Sequence, residues 1–403
     1  MNDKAMNTTA QRNIKLPIYL DYHATTPVDP RVLDAMLPYF KEAFGNPHSV
    51  THEYGWIAEN AVETARAQVA AAVGARTKEI IFTSGATESN NLALKGVARA
   101  LRGKRDHIVT LETEHKCVLE SARELEREGT RVTMLPVEKT GLVDLDRLSD
   151  AVGPNTALVS VMAVNNEIGV IQPLAEIGAI CREAGALLHT DAAQALGKIP
   201  LDVAAMNIDL MSLTAHKMYG PKGIGALFVR SRPPVPIEPL FSGGGQEQGL
   251  RAGTLPPPLC VGFGTACEIA ADELADEAAR LRALRDRLYD GVTGTLDGVT
   301  LNGDADRRVP GNLNLSFAGI DGDALLMALK DLAVSSGSAC TSTAMEPSHV
   351  LRGIGLDDAA TFASIRFGLG RYTTEAEIDY AIEAVVDQTR KLRQKTSGRA
   401  AAS

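Results

Sequence analysis

The sequence has few cysteines, no long apolar run and no excess of positive charge. Its five cysteines lie far apart and form no CxxC pair, so a disulfide framework is not expected and a reducing compartment is predicted. The longest strand-like apolar run, residues 157–164, already contains Ser160 and is far too short to span a membrane. These absences exclude disulfide-stabilised and membrane-spanning proteins and favour a globular chain.

The charge balance narrows the possible partners. Lys and Arg total 41 and Asp and Glu total 50, which gives a formal net charge of −9. An acidic chain gains no electrostatic attraction to a phosphate backbone, so direct nucleic-acid binding is not expected. The first fifteen residues, MNDKAMNTTAQRNIK, contain no apolar segment of a secretory signal. We therefore expect a cytoplasmic protein.

Apolar strand-like runs alternate with helical patterns between about residues 57 and 230. Near-continuous apolar strands that alternate with amphipathic helices are typical of a mostly parallel sheet covered on both faces. The predicted fold is therefore α/β, with a mostly parallel central sheet and helices on both faces. The predicted strands are 79–84, 107–111, 131–135, 157–164, 186–190, 209–213 and 225–230.

The pattern changes near residue 233. Prolines flank a glycine-rich stretch, SGGGQEQG at 242–249, and a long predicted helix follows over about 260–290. Short strands at 312–317 and 364–367 then mix with helices, the last at about 375–393. We predict two domains. Residues 27–262 form the large domain, and residues 1–26 with 263–403 form a smaller α+β domain.

Two residues at strand ends point to cofactor chemistry. Asp191 closes a buried strand, at the end where open parallel sheets bind ligands, although a helix-capping role would explain it as well. Lys217 follows the next buried strand, among apolar and glycine residues where a free ammonium is costly. A carboxylate for a pyridine nitrogen and a lysine for covalent attachment are the minimum that pyridoxal phosphate requires.

The phosphate of such a cofactor needs donors at a helix start. The segment TSGATESNN, residues 83–91, joins a strand to a helix through a turn of small residues, and Thr87 adds a hydroxyl. A plain helix cap is the alternative. Thr214 and His216 flank the lysine and could reach the same phosphate. His115 follows a strand and could stack on the cofactor ring, or it could be structural.

One cysteine differs from the other four. Cys260 and Cys267 share one face of an apolar helical stretch and indicate core, Cys181 lies in a helical pattern, and Cys117 follows His115 at a predicted helix start. Cys340 instead lies among small polar residues that indicate an exposed loop. A thiol in such a loop is well placed as a nucleophile, although an incidental exposed cysteine remains the alternative.

Two further patterns contain side chains that could bind a substrate or a metal ion. Arg366 could bind a substrate carboxylate with two hydrogen bonds, or form an ordinary ion pair. His48 and His52 are four residues apart and precede Glu53. A proline precedes His48 and no third ligand is in view, so no metal site is predicted.

Together these motifs resemble the cysteine desulfurase family of the NifS and IscS type, within the aminotransferase class V group. The resemblance extends from residue 20 to about residue 393. The motifs that carry it are LDYHATTPVDPRV (20–32), FGNPHS (44–49), FTSGATESNN (82–91), TEHK (113–116), VNNEIGV (164–170), HTDAAQ (189–194), AHKMYGPKGIGAL (215–227), LRAGT (250–254), SSGSACTS (335–342) and RFGLGR (366–371).

The resemblance implies a fold type I pyridoxal-phosphate enzyme and a role for each matching residue. Lys217 would hold the cofactor covalently, Asp191 would pair with the ring nitrogen, and His115 would stack on the ring. Gln194 would form a hydrogen bond with the oxygen of the ring hydroxyl group. The phosphate would be held by Ala86, Thr87, Thr214 and His216, with Thr254 reaching in from a second subunit. The substrate carboxylate would be held by Asn46, Asn166 and Arg366.

The resemblance also implies a reaction and partners. A homodimer would convert L-cysteine to L-alanine, with Lys217 or His115 moving the proton from Cα. Cys340 would take the sulfur as a persulfide and pass it to an acceptor or iron–sulfur scaffold protein. Three alternatives share part of the pattern. A class V transaminase would not need Cys340, a selenocysteine lyase would discriminate selenium from sulfur, and a non-enzymatic sulfur carrier would not need Lys217.

Overall fold

The structure, a computed structural model, describes residues 14–336 and 346–400, and the side chains up to residue 395. The strands in chain order are β1 (Ile18–Tyr19), β2 (Ile80–Thr83), β3 (His107–Leu111), β4 (Arg131–Leu135), β5 (Thr156–Ser160), β6 (Leu187–Asp191), β7 (Leu210–Thr214), β8 (Gly225–Val229), β9 (Val299–Leu301), β10 (Asn312–Phe317), β11 (Leu332–Ala333), β12 (Ser335–Ser336) and β13 (Ser364–Gly368).

The helices account for most of the remaining regular structure. In chain order they are α1 (Pro30–Met36), α2 (Pro38–Lys41), α3 (Glu53–Ala71), α4 (Ala86–Ala100), α5 (Lys116–Arg127), α6 (Leu145–Ala151), α7 (Leu174–Ala184), α8 (Pro257–Thr293), α9 (Gly322–Ala328), α10 (His349–Gly353), α11 (Asp358–Phe362) and α12 (Glu375–Ala400). Among the described helices none is long and apolar enough to cross a membrane.

The chain forms two compact units. The larger comprises residues 25–166 and 170–275, and the described part of the smaller comprises residues 14–24, 167–169, 276–336 and 346–400. Helix α8 carries the chain from the larger unit into the smaller, so the predicted domain boundary at residues 262 and 263 falls inside a continuous helix.

The larger unit is built on a seven-stranded sheet in the order β2-β8-β7-β6-β5-β3-β4. Strands β3 to β7 are parallel, and β8 runs antiparallel to both β7 and β2. Every residue of β2, β3, β5, β7 and β8 is buried, as expected for strands covered on both faces. The predicted mostly parallel α/β sheet is therefore confirmed.

One predicted strand is shorter than expected. The apolar run 157–164 was assigned to a single strand, but β5 ends at Ser160. The chain then turns back on itself, and Val164 forms an antiparallel bridge with Ile171. Continuous hydrophobicity could not reveal this end, because the turn is buried as deeply as the strand.

The core of the larger unit lies between the sheet and its helices. Leu92, Leu94 and Val97 of α4 pack in one cluster with Ile108 of β3 and Leu158 of β5, all nearly free of solvent contact. Helix α7 ends at Gly185, whose φ of +67° is the left-handed cap that glycine accepts most readily. These features hold the strand ends that carry the predicted site.

The smaller unit contains an antiparallel sheet in the order β12-β13-β10-β9 and a parallel pair formed by β1 and β11. Leu315, Phe317 and Phe367 of its sheet pack in one buried cluster with Leu288 of α8 and Val385 of α12. The predicted α+β character of this region is confirmed. Cys340 lies outside the described residues.

Candidate active site

The predicted cofactor residues of the larger unit follow the carboxyl ends of its parallel strands. Because β2, β3, β5, β6 and β7 point the same way, their ends lie along one edge of the sheet. The cofactor residues on this edge are Ala86 and Thr87 after β2, His115 after β3, Asp191 at the end of β6, Thr214 at the end of β7, and His216 and Lys217 after it. Asn166, which was predicted to bind the substrate, follows β5.

Asp191 is 4% exposed and is held by neutral donors. The side-chain amide of Asn90 donates to its Oδ2 over 2.6 Å, and the backbone N–H of Ala193 donates to its Oδ1 over 2.9 Å. The second bond is a local turn contact and not the helix cap that the sequence allowed as an alternative, because residues 193–198 form turns and no helix begins there. The first fixes the carboxylate at the end of β6 without neutralising its charge, which suits a cationic partner.

Lys217 is positioned by a tight turn. The carbonyl oxygen of Ala215 accepts from the N–H of Met218 at 3.1 Å and from that of Gly220 at 3.0 Å. A Cβ on Gly220 would lie 2.8 Å from the Ala215 Cβ, so only glycine closes this turn without displacement. Lys217 is partly buried and lies close enough for its charge to act on both Cys117 and His216.

The start of α4 provides backbone donors for an anion. Its N-cap is Gly85, which has a φ of +152° and supplies no side-chain cap. A Cβ at Gly85 would lie 3.9 Å from Thr214 Oγ1, so a hydroxyl from the end of β7 lies near this helix start. Glu88 accepts from the N–H of Ser84 at 2.8 Å and pairs with Arg251 at 2.9 Å. The helix start is thereby tied to the glycine-rich segment.

His216 is held as a neutral imidazole. Its Nδ1 lies 3.1 Å from the Thr25 hydroxyl. Burial lowers the pKa of His216 to about 4, and the positive charges of Lys217, Lys222 and Lys198 act in the same direction. At neutral pH His216 can therefore offer a hydrogen bond to an anion but not a positive charge.

His115 caps the start of α5 and contacts Cys117. Its Nδ1 accepts from the backbone N–H of Cys117 at 3.2 Å and lies 3.0 Å from the Cys117 sulfur. The amide of Asn90 also donates to this sulfur, over 3.1 Å. The prediction that Cys117 lies at a helix start is confirmed. Asn90 was not predicted as a site residue, because Cys117 and Asp191 lie 27 and 101 positions away from it in sequence.

Glu114 is a second buried carboxyl that the sequence analysis missed. It is completely buried, and its Oε1 accepts from the N–H of Met162 over 2.7 Å. Burial raises the pKa of Glu114 well above its usual range, and the negative charge of Asp191 adds to the effect. The carbonyl oxygen of Thr113 accepts from the Asn165 side chain at 3.0 Å. Residues 113 and 114 therefore hold the segment that ends in Asn166.

The other predicted cofactor residues differ in exposure. Gln194 is 3% exposed, and its Oε1 accepts from Lys198 over 2.7 Å. Thr254 is exposed. Its predicted contact is with a cofactor bound by a second subunit. Asn46 is also exposed, and its Oδ1 accepts from the N–H of His48 at 2.9 Å. Their roles remain predictions.

Arg366 belongs to the smaller unit, in the middle of strand β13. It is 3% exposed, and its Nη2 pairs with Asp21 Oδ1 at 2.7 Å. Asp21 Oδ2 accepts in turn from the Ser335 hydroxyl at 3.0 Å, just before the stretch that contains Cys340. The guanidinium is therefore in a buried ion pair and not in the surface pair that the sequence allowed, and its binding of a substrate carboxylate stays a prediction.

Cysteines other than Cys340 follow their predictions. Cys260 and Cys267 are buried in α8, and Cys181 is buried in α7. Burial raises the pKa of Cys260 to about 12, which makes it a poor nucleophile.

The pair of histidines that suggested a metal has another explanation. His52 is the N-cap of α3, and its Nδ1 accepts from the N–H of Gly55 over 3.2 Å. Among the residues that the structure describes, no group of three or more His, Cys, Asp and Glu side chains could hold a metal ion.

The residues present fit pyridoxal phosphate. Asp191 is a buried anion whose hydrogen-bond donors are neutral, which suits a protonated ring nitrogen. A helix start without a side-chain cap suits the phosphate, and a partly buried lysine follows the next strand. The side-chain oxygen of Asn90 is buried without a partner among the described residues, so this edge of the sheet retains unused hydrogen-bonding capacity.

Comparison with known proteins agrees with this geometry. The family model for aminotransferase class V matches residues 18–381. The cysteine desulfurase IscS of Rickettsia bellii is 58% identical over 388 residues, which cover 96% of this chain and 94% of that protein.

Solved structures extend the agreement. A NifS-like protein superposes with a TM-score of 0.86 at 39% identity and covers 92% of this chain and 98% of its own. A structure described as SspA in complex with cysteine superposes with a TM-score of 0.79 at 39% identity, covering 89% and 100%.

Proposed function

The chain belongs to the aminotransferase class V family, among the cysteine desulfurases, and on that premise we propose that it removes sulfur from L-cysteine with the help of pyridoxal phosphate. L-Alanine is the product, and Cys340 carries the sulfur as a persulfide. The observation that carries this proposal is the position of a buried carboxylate, Asp191, and a lysine, Lys217, after the adjacent parallel strands β6 and β7.

The cofactor is assigned to the edge of the sheet already described. When bound, pyridoxal phosphate stabilises the negative charge that develops on the Cα of an amino acid. Lys217 holds it covalently, Asp191 pairs with its ring nitrogen, and His115 covers the ring. Gln194 forms a hydrogen bond with the oxygen of the ring hydroxyl group. Its phosphate is bound by Ala86, Thr87, Thr214 and His216, with Thr254 of a second copy.

The chain's own groups then perform the proton and sulfur steps. Once the substrate amine has displaced it, the Lys217 amine takes the Cα proton and later returns a proton to Cα, while Asn46, Asn166 and Arg366 bind the substrate carboxylate. The Cys340 thiolate attacks the substrate sulfur, so an S–S bond forms as the carbon–sulfur bond breaks. The bonding pair stays on carbon, which takes up a proton and becomes the methyl group of alanine.

A second copy of the chain is the partner proposed for the larger unit. Apolar side chains are exposed in the stretch from residue 33 to residue 57, among them Phe44 at 63% and Trp56 at 51%. The rings of Phe44 and Tyr54 are 5.4 Å apart, so part of this surface is contiguous. Exposed aromatic and aliphatic side chains of this kind favour a permanent interface, and Thr254 is exposed as the proposed shared site requires.

The persulfide is passed to a thiol of an acceptor protein, such as an iron–sulfur scaffold, and we place the reaction in the cytoplasm. The names of the relatives support a role in sulfur delivery. A direct hand-over also avoids the release of free sulfide.

The central experiment measures products. Purified protein with L-cysteine should yield alanine, and mass spectrometry should find one extra sulfur on Cys340. Cys340→Ser should leave the cofactor bound while alanine and sulfide nearly vanish, because a hydroxyl cannot hold a persulfide. Cys260→Ser, at a buried thiol, is the matched control and should keep full activity. Transfer of the amino group without loss of sulfur would instead show a transaminase, and turnover of selenocysteine alone would show a lyase.

The homodimer is tested by light scattering. A fully active monomer would contradict both the shared role of Thr254 and the interface proposed for residues 33–57.

A further inference from the structure

Asn90 and Cys117 connect the two groups that are proposed to contact the cofactor ring. Asn90 is completely buried, and its side-chain nitrogen donates to Asp191 Oδ2 at 2.6 Å and to the Cys117 sulfur at 3.1 Å. The same sulfur lies 3.0 Å from His115 Nδ1. A continuous hydrogen-bonded path therefore runs from the carboxylate at the end of β6 to the histidine after β3.

This path determines which ring nitrogen of His115 carries the proton. The backbone N–H of Cys117 donates to Nδ1 over 3.2 Å, and a backbone N–H can only donate. Nδ1 is therefore an acceptor, and in the neutral ring the proton is on Nε2. The amide nitrogen of Asn90 can only donate to the Cys117 sulfur, so the thiol hydrogen is left to point at Nδ1, whose single lone pair it shares with the backbone N–H.

The thiol must remain protonated to act as this donor. Burial raises the pKa of Cys117 to about 12, and the charge of Asp191 acts in the same direction. A neutral thiol is therefore expected throughout the physiological range.

We propose that Cys117 and Asn90 are positioning residues that keep His115 in the Nε2-protonated form, with Nδ1 occupied by two donors. Neither nitrogen of His115 can then accept the Cα proton unless the cap of α5 breaks. The proton transfer falls to Lys217, and His115 acts as a hydrogen-bond donor and ring cover. The last two statements rest on the proposed function, whereas the position of the ring proton is a property of the chain itself.

The position of the proton can be measured without turnover. In full-length protein labelled with ¹⁵N-histidine, the His115 resonances are assigned by their loss in His115→Phe. We expect Nδ1 to show the shift of an unprotonated nitrogen and Nε2 that of a protonated one. A proton on Nδ1 would overturn the inference, even in a fully active enzyme.

The role of the thiol is tested by three variants. Cys117→Ala should lower kcat about three- to tenfold, as expected for the loss of one hydrogen bond, with KM changed less than about twofold. It should also broaden or split the His115 nitrogen signals. Cys117→Ser should restore most of kcat and a single set of signals, because a hydroxyl can donate to Nδ1.

Cys181→Ala is the matched control, because Cys181 is also buried and burial raises its pKa to about 12. It should change neither kcat nor the His115 signals. If Cys117→Ala behaved like Cys181→Ala in both measurements, the thiol would have no positioning role. If alanine formation itself failed in the wild type, the proposed function would fall while the assignment of the ring proton could still hold.

Discussion

The two units hold the buried charges of their candidate site residues in different ways. In the larger unit, the hydrogen bonds to Asp191 come from an amide side chain and a backbone N–H, both neutral. In the smaller unit, Arg366 is paired with a full opposite charge on Asp21 at 2.7 Å. In the first arrangement the charge of the buried carboxylate is not neutralised by an opposite charge. In the second, the charge of the buried guanidinium is largely neutralised by the carboxylate.

This difference predicts different binding behaviour for the two sites. A cation that reaches Asp191 gains the full attraction of a desolvated carboxylate, so a ring nitrogen there should be held tightly and kept protonated. A carboxylate that reaches Arg366 also meets the negative charge of Asp21, so its binding should be weaker and reversible. The contrast suits a cofactor that stays bound and a substrate that turns over.

The largest effect should come from removing the charge of Asp191 while keeping its shape. Asp191→Asn should lower kcat/KM by roughly 10³-fold or more, because the ring nitrogen loses the anion that keeps it protonated. Steady-state alanine formation and the visible spectrum of the bound cofactor measure this. Asp209→Asn is the control, since Asp209 is also buried but pairs with Arg230 and bonds the N–H of Leu188. If Asp191→Asn kept an activity within tenfold of the wild type, the unneutralised charge of Asp191 would not be important for catalysis.

A buried pair inside the larger unit tests whether pairing alone makes a charge structural. Arg66 makes two 2.7 Å bonds to Glu247 and lies 4.8 Å from the centre of the Phe82 ring. Arg66→Met leaves Glu247 buried without its partner and should lower the free energy of unfolding by about 3 to 5 kcal/mol. Denaturant unfolding followed by circular dichroism measures it.

The double variant Arg66→Met with Glu247→Gln should recover part of this loss, since no unpaired charge then remains. An Arg66→Met protein as stable as the wild type would show that this pair contributes little to the free energy of unfolding. The pair could then not serve as the structural counterpart of Arg366 and Asp21.

The smaller unit is tested through substrate binding. Arg366→Lys should raise KM for cysteine roughly 10- to 100-fold with a smaller change in kcat, because lysine cannot replace a planar guanidinium that bonds two carboxylates. Arg371→Lys is the matched control, since Arg371 pairs with Glu277 at 2.9 Å in the same unit. An unchanged KM in Arg366→Lys would remove the arginine from the substrate site.

The smallest expected effect is the pH-dependent contribution of Glu114 to the free energy of unfolding. Burial raises its pKa, so the folded state favours the neutral acid, while the unfolded carboxyl ionises above about pH 4.3. Above that pH the wild type loses stability relative to Glu114→Gln, with a slope of up to about 1.4 kcal/mol per pH unit until the folded carboxyl also ionises. Glutamine keeps the acceptor for Met162. A stability difference that is independent of pH between about pH 4 and 7 would show that Glu114 is ionised when folded.

The site residues that could be predicted from the sequence are those whose position follows from the local pattern of strands and helices. Asp191 and Lys217 follow buried strands, and parallel strand ends converge at one edge, so two separate motifs could be placed at one site. Asn90 could not be assigned in this way, because its contact with Asp191 joins residues 101 positions apart. The partner of Arg366 was equally hidden, since Asp21 precedes it by 345 positions. Side-chain contacts between distant elements depend on packing, which periodicity does not record.

The parallel pair of β1 with β11 has a consequence for the order in which the protein is made. Ile18 is paired with Leu332, and Tyr19 with Ala333, so this segment leaves the ribosome more than 300 residues before its partner strand. The larger unit is fully synthesised by residue 275, and β11 follows only after residue 332. At roughly 5 to 20 residues per second, several seconds separate the two events. During that interval residues 14–24 lack their native neighbours, so we expect nascent chains to expose this segment to chaperones and proteases after the parallel sheet has formed.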